Sequence, residues 1–467
     1  MNDLRREITV GVLVVVLLLM GIAVDAFSDD VEPAPEQTPA PLFVERSSFC
    51  LGLPGDDEVG AVGDAAVAAS GTSTEQISIG SEPSQAEPEV VRGGVLEQTV
   101  REPGALQMIG YGATAMASSS LRLESPLAGM ASANCSRDAS MQWLFPAGSS
   151  EQGFNEWIVL LNPFRDEAVV RVDLLTADGP RTKSQLSDVS VPSGGMQVLK
   201  MNDYILQQDV LGVRVVAGRG RVVAWKSMFA QAEGMSPGVG TTLGARQGAT
   251  DWYFPVGAIG PGAREVLSIL NPSDDEAIVT VSLTATEGAV QPPADLVEFT
   301  MPAETTTDID LSSAFKKQDL GGVSVSIRSV NEVPIVAERS LWYSDEGFKG
   351  FATELGASQG ARAWWVGSAA TSSDRDSLVL LNTSGSEATV QITLMTPKGQ
   401  PIEGGLLADI TVPAGGRTRV DLDDLVDGTS VALVTSDTEV VAERVVYSSA
   451  TEDVATIMGI PLPDPVD

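Results

Sequence analysis

The sequence predicts an all-β fold of tandem Ig-like β-sandwich units of about 110 residues, and three observations lead there. First, Leu161-Asn162-Pro163, Leu270-Asn271-Pro272 and Leu381-Asn382-Thr383 place an asparagine at intervals of 109 and 111 residues. Second, each asparagine is followed by a turn-rich stretch, a Glu-Ala pair (Glu167, Glu276, Glu387) and apolar residues on alternate positions. Val170, Val172 and Leu174, then Val279, Val281 and Leu283, then Val390, Ile392 and Leu394 keep a period of two. That period marks a strand with one buried face, so the local unit is strand–turn–strand. Third, a repeat of this length matches a two-sheet sandwich of roughly 100 residues and exceeds solenoid repeats of about 20–50.

Later landmarks recur in the same order. Pro192, Pro302 and Pro413 each precede a short polar loop and another strand. Ala224, Ala337 and Ala442 lie in Val- or Ile-rich strands, with a base two residues on (Lys226, Arg339, Arg444) and an aromatic five residues on (Phe229, Trp342, Tyr447). The full copies cover residues 143–250, 251–361 and 362–460, followed by a tail at 461–467. Their joints are very short, which predicts a semi-rigid rod of beads, each with its own core. Residues 42–142 form a degenerate copy: Phe49-Cys50 occupies the place of Phe254-Pro255, and Gly55 to Glu89 is expected to be a loop excursion.

The start of the chain is different. After a stub at residues 1–7 containing Arg5 and Arg6, residues 8–27 are strongly apolar and Asp29 and Asp30 follow. A basic flank stays inside, so a single transmembrane helix would send the body out of the cytoplasm. Val24-Asp25-Ala26 also tolerates signal cleavage, which would release a secreted protein. Residues 28–41 are rich in proline and acids and predict an extended stalk.

Outside the cytoplasm two cysteines are expected to pair. Cys50 and Cys135 fall near the ends of the degenerate copy, and a loop of that length would contribute about 4–5 kcal/mol in the chain-entropy model. Two free thiols are the rival reading.

Taken together, Trp/Tyr-Phe, Leu-Asn-Pro, Glu-Ala-x-Val-x-Val, Val-Pro and Val-Ala-Glu-Arg-x-x-Tyr resemble β-rich repeats of secreted and membrane-anchored actinobacterial proteins. The layout is similar to an uncharacterised family of unknown function. Asn271-Pro272, Glu276-Ala277, Ala337-Glu338-Arg339 and Ala442-Glu443-Arg444 carry the likeness over residues 42 to 460. Trp225 replaces the motif Glu, and Thr383 replaces Pro. The resemblance implies an envelope location and brings no catalytic residues.

Composition narrows the chemistry. The chain has 29 basic and 63 acidic residues, a net charge of −34 and no histidine. Nucleic acid is an unsuitable partner for such acidity, and histidine-dependent triads and metal sites are excluded. Asp274, Asp275 and Glu276 could supply paired carboxylates for glycoside hydrolysis, but they lie in an expected hairpin turn. Asp421, Asp423 and Asp424 form the densest acidic cluster near a strand end, without the spacing of a helix–loop–helix calcium site. Glu338–Arg339 and Glu443–Arg444 face opposite sides of a strand and are expected to bond across to another strand or unit. Trp364 and Trp365 are adjacent, so one should face inward and the other, Trp365, could meet a sugar or partner. No catalytic residue, metal or cofactor is expected. The sequence reads as a non-enzymatic envelope protein, partnered by the membrane and by wall glycan or another envelope protein. An accessory subunit of an envelope-building enzyme and a carboxylate hydrolase are the alternatives.

Overall fold

The computed structural model describes residues 45–50, 62–70, 74–80, 89–92, 95–100, 106–111 and 116–123, and then 129–462 except 316–317, 346–347, 368–374, 397–400, 426–429 and 449–451. The stub, the apolar segment 8–27 and the stalk lie outside these residues. No described helix is long and apolar enough to cross a membrane.

Among the described residues the regular structure is nearly all β-strand. With the degenerate copy as unit I and the full copies from 143, 251 and 362 as units II, III and IV, the alternating stretch Ala168–Thr176 of unit II buries Ala168, Val170, Val172 and Leu174 on one face. It lies in an outer sheet ordered Gly179–Arg181, Ala168–Thr176, Gly212–Arg219, Gln142–Phe145. The inner sheet runs Met196–Lys200, Phe154–Leu161, Val223–Ala230, Gly238–Leu243. Unit III repeats this order, with an inner sheet of Thr305–Asp310, Ala263–Asn271, Val336–Asp345 and Phe348–Leu355. In unit IV one 18-residue strand, Val431–Ser448, serves both sheets, pairing Ala388–Met395 with its first half and Arg375–Asn382 with its second. Each of these three units encloses its own apolar core.

Unit I has the same strand order despite its sequence. The stretch expected to be a loop excursion carries strands Val62–Ser70 and Thr74–Gly80. Alanine, serine and glycine there have weak strand preference, and the register comes from pairing with Met116–Leu123 and Leu106–Tyr111. The disulfide Cys50–Cys135 is formed. Its alignment differs by one residue from the sequence expectation. The bridges Phe49–Ser136, Leu144–Ala245 and Tyr253–Ala357 are equivalent, so Cys50 matches Phe145 and Phe254, and Cys135 matches Gly244 and Gly356. In units II and III the phenyl ring lies against that glycine, leaving no room for a Cβ. The disulfide therefore stands where the other units stack Phe on Gly.

Two recurrent side chains, an asparagine and a tryptophan, staple each of units II, III and IV. Asn162, Asn271 and Asn382 are buried, and each donates its Nδ2 to the carbonyl four residues on (Asp166, Asp275, Ser386) at 2.7–2.8 Å. Their Oδ1 atoms accept the amides of Phe164, Ser273 and Ser384, fixing the turn. Trp143, Trp252 and Trp364 donate their indole N–H to Val222, Ile335 and Val440 carbonyls.

The expected rod is not what forms. The last strand of every unit is an edge of its inner sheet: Gly129–Asn134, Gly238–Leu243, Phe348–Leu355 and Asp453–Met458. Each packs against the next, and the fourth packs against the first, so residues 129–462 close the four units around a common axis. The very short joints leave consecutive sandwiches side by side, and the apolar flanks of their inner sheets cover one another. Val239, Ala131 and Trp157 pack between units I and II; Met228, Val266, Trp342 and Phe351 between II and III; Leu341, Ala352, Val445 and Val454 between III and IV.

At the axis three units carry glycine at equivalent positions, Gly129, Gly238 and Gly350, and the fourth carries Asp453. A Cβ on any of the glycines would strike a neighbouring strand or the Asp453 side chain. Gly350 also sits at φ 122°, a conformation that favours glycine. The Asp453 carboxylate accepts amides from all four strands: Met130 at 2.8 Å, Phe351 at 2.9 Å, Val454 at 2.8 Å, and Val239. Asp453→Gly would restore the glycine of the other units but leave four buried N–H groups without an acceptor. The expected loss is about 3 kcal/mol or more by chemical denaturation; an unchanged midpoint would show that the axis does not depend on this carboxylate.

Candidate functional site

The junctions between units are built from buried charge. Lys226, Arg339 and Arg444 project from equivalent strand positions and are almost wholly buried. Lys226 Nζ lies 2.6 Å from Glu338 Oε1 of the next unit and also donates to the Ala147 carbonyl. Glu338 accepts further hydrogen bonds from Thr242, Thr353 and the Ala147 amide. One junction on, Arg339 Nη2 and Nη1 meet Glu443 Oε1 and Oε2 at 2.7 and 3.1 Å, and Arg339 donates to the Val256 carbonyl. The rule is that the base of one unit pairs with the motif Glu of the next. Removing one partner of such a pair costs about 3–5 kcal/mol, because the other charge stays buried.

The rule breaks in a compensated way elsewhere in the ring. Unit II carries Trp225 in place of the Glu, and the partnering position of unit I is Ser119 rather than a base, so both halves are missing together. Arg444 of unit IV meets unit I, where the Glu position is Ser118. It pairs instead within its own unit, its Nε 2.8 Å from Asp376 Oδ1, and also donates to Ser430. Asp376 stands six residues before Asn382, where units II and III have Glu156 and Glu265. Those two are fully buried beside bases already taken by the neighbouring unit. Burial pushes Glu156 up to about 8 and Glu265 up to about 7, against the pull of Lys226 and Arg339.

Above the Lys226–Glu338 pair, units II and III enclose a cleft of about 490 Å³. The loop beginning at Ala147 forms one lip. Glu151, Asp209, Glu233, Asp308 and Asp310 bring carboxylates to it, and Arg264 is the one basic residue in its lining. Asp308 and Asp310 alternate on the strand Thr305–Asp310 and so share a face. Arg264 is held 3.0 Å from Asp310, with its guanidinium 5.3 Å from the centre of the Trp342 ring. Trp342 is buried against Phe351, and its indole N–H has no protein acceptor. Burial pushes Asp308 up to about 7, while a hydrogen bond from Ser268 pulls it down. The cleft thus offers five carboxylates, one guanidinium, the Gln152 and Gln231 amides and the hydroxyls of Ser149, Ser268 and Ser340. A ligand carrying hydroxyl or amino groups together with a carbonyl matches that set. Among the described residues no group of three or more His, Cys, Asp or Glu is placed to hold a metal ion.

The residues singled out by sequence lie elsewhere. Trp364 and Trp365 are both buried, at 1% and 2% exposure, which corrects the expectation of an exposed Trp365. Trp364 enters the unit IV core, and Trp365 is covered by Val431, Met395, Ile460 and Leu462 because strand Ile460–Pro461 pairs alongside. Asp274, Asp275 and Glu276 are exposed turn residues. Asp421 pairs with Arg419 at 2.7 Å, and Asp423 accepts the Asp376 amide. Glu338, Arg339 and Glu443 bond across to neighbouring units as expected. Sequence reasoning missed Asp308, Asp310 and Arg264. Trp342 was visible as the recurrent aromatic five residues after Ala337, and the buried acids as a recurrence six residues before each Asn.

These carboxyls set a direction for pH dependence. Glu156, Glu265 and Asp453 bind their protons more tightly in the folded chain than the ordinary carboxyl values of 4.5 and 3.8, with Asp453 also pushed up to about 8 by burial. Their contribution is full below the unfolded values and is lost as pH rises through 7 and 8. The melting temperature should therefore fall between pH 5 and pH 9, and Glu156→Gln should flatten the slope. A wild-type melting temperature that rises across this range would contradict the assignment.

No protein of curated function matches the chain. Solved structures with partial similarity include Thermotoga maritima 1070, at 21% identity over 24% of this chain and 94% of that one, with a TM-score of 0.21. The Anabaena sensory rhodopsin transducer is 27% identical over 20% of this chain and 95% of its own, with a TM-score of 0.17. Trypsin-activated alpha-2-macroglobulin from Escherichia coli covers 92% of this chain and 40% of its own at 9% identity, with a TM-score of 0.11. Residues 86–347 and 227–460 each match DUF5719, a family of unknown function, and the two matches overlap within the repeated units. The chain belongs to the DUF5719 family.

Proposed function

We propose that the protein is a non-enzymatic binding module of the cell envelope, anchored in the membrane by residues 8–27 with its body outside the cytoplasm. Its ligand is an envelope component, a wall glycan bearing hydroxyl and amide groups, held in the cleft between units II and III. The observation that carries this reading is the cleft lining. Five carboxylates line it against one guanidinium, beside serine hydroxyls and the Gln152 and Gln231 amides. Sugar hydroxyls would donate to Asp308 and its neighbours. The apolar segment and acidic, proline-rich stalk that precede the body support the location.

The test is co-sedimentation of the full chain, in detergent, with purified wall polymer across a salt series. Saturable retention is expected, weakened about tenfold by Asp308→Asn, which keeps the shape but removes the charge. Retention unchanged by Asp308→Asn would remove the cleft from the reading. No retention at any salt would replace wall glycan by an envelope protein, sought by crosslinking in intact cells.

A further inference from the structure

The cleft between units II and III has a counterpart between units III and IV. The strand registers make the positions equivalent: Val266 pairs Asp310 as Ser377 pairs Asp421, and Arg264 pairs Trp342 as Arg375 pairs Tyr447. The lip Ala147–Phe154 corresponds to Val256–Ala263, of which Ala258–Ala263 line the second cleft, and Asp209 corresponds to Asp319. The same slot of the fold is therefore built twice, and its residue types differ.

The second cleft measures about 180 Å³. Where the first has Asp308, the second has Arg419, and where the first has Trp342, the second has Tyr447. Its lining holds Arg375 and Arg419 against one acid, Asp319, whereas the first holds five acids against one arginine. Asp319 is itself engaged, accepting the Gly321 amide at 3.2 Å. Tyr343 and Tyr447 meet edge to face with ring centres 5.4 Å apart and share a hydrogen bond. Arg419 directs its Nε to Asp421 at 2.7 Å and its Nη2 to Ser377 at 2.8 Å. A guanidinium has five N–H donors, so further donors remain on Arg419. With Asp421 bonded to Arg419, two guanidiniums stand against two carboxylates, so the recess lacks the acidic excess of the first cleft.

We propose that the cleft between units III and IV is a binding site for an oxyanion, a carboxylate or phosphate group, received by the guanidinium donors of Arg419 and Arg375. Planar guanidinium forks match either anion, and the volume admits one such group with a short attachment. The site is separate from the acidic cleft, so each stands or falls on its own variants.

The experiment is a thermal-shift and calorimetric titration of the full chain in detergent with inorganic phosphate and, in parallel, acetate, against sodium chloride at matched ionic strength. Saturable stabilisation by phosphate, acetate or both is expected, and the stronger of the two identifies the source group. Arg419→Gln should weaken that binding about tenfold and leave retention on wall polymer unchanged. If Arg419→Gln does not fold, Arg375→Gln gives the same reading with Asp421 and Ser377 still bonded to Arg419. Stabilisation no greater than that of sodium chloride, or binding unaltered in a folded variant, would overturn the proposal.

Discussion

Close approach of four strand edges at one axis is the constraint on which the rest of the body depends. An exposed sheet edge invites pairing with another chain, and here the four inner-sheet edges shield one another instead. That approach leaves no space for side chains at the innermost position, so Gly129, Gly238 and Gly350 are required there. Asp453 breaks the pattern usefully. Its carboxylate accepts amides from all four strands and ties the last unit to the first. A carboxylate so placed is buried deeply enough to retain its proton more readily, which links the axis to pH.

Closure brings each unit's base up to the next unit's glutamate. Where both partners exist, as in Lys226–Glu338 and Arg339–Glu443, a buried ion pair spans the junction. Where unit I lost its share, the neighbours changed with it: Trp225 replaces a glutamate that would have no base, and Arg444 takes Asp376 from its own unit. Glu156 and Glu265 occupy the position of Asp376, but their bases are already satisfied, so a carboxylic acid rather than a carboxylate suits them. The clefts follow from the same geometry. Sandwiches packed along their inner sheets leave slots beside the ion pairs, and these slots are free to diverge in charge because the pairs beneath them hold the junction.

Much of this was legible in the sequence. Asn162, Asn271 and Asn382 marked the repeat, and their hydrogen bonds show why that residue recurs: one amide side chain donates to two carbonyls, one of them four residues on, and accepts an amide of the same turn. The Glu-Arg pairs also announced their role, since adjacent residues on a strand must face different neighbours. Closure was not legible, because a short joint is equally compatible with a rod and a ring. The deciding contacts lie between residues such as Met130 and Asp453, 323 positions apart. Trp365 misled because alternation places it on the outer face, and only the short strand Ile460–Pro461 reveals that this face is covered. The cleft residues come from two units at once, which no single repeat displays.

The most direct measurement is small-angle X-ray scattering of residues Val44–Asp467, which form one compact unit. Four sandwiches closed around an axis predict a radius of gyration of about 22 Å. A value roughly twice as large would mean that the sandwiches extend end to end. The Asp453 hydrogen bonds between first and last units would then not exist in solution.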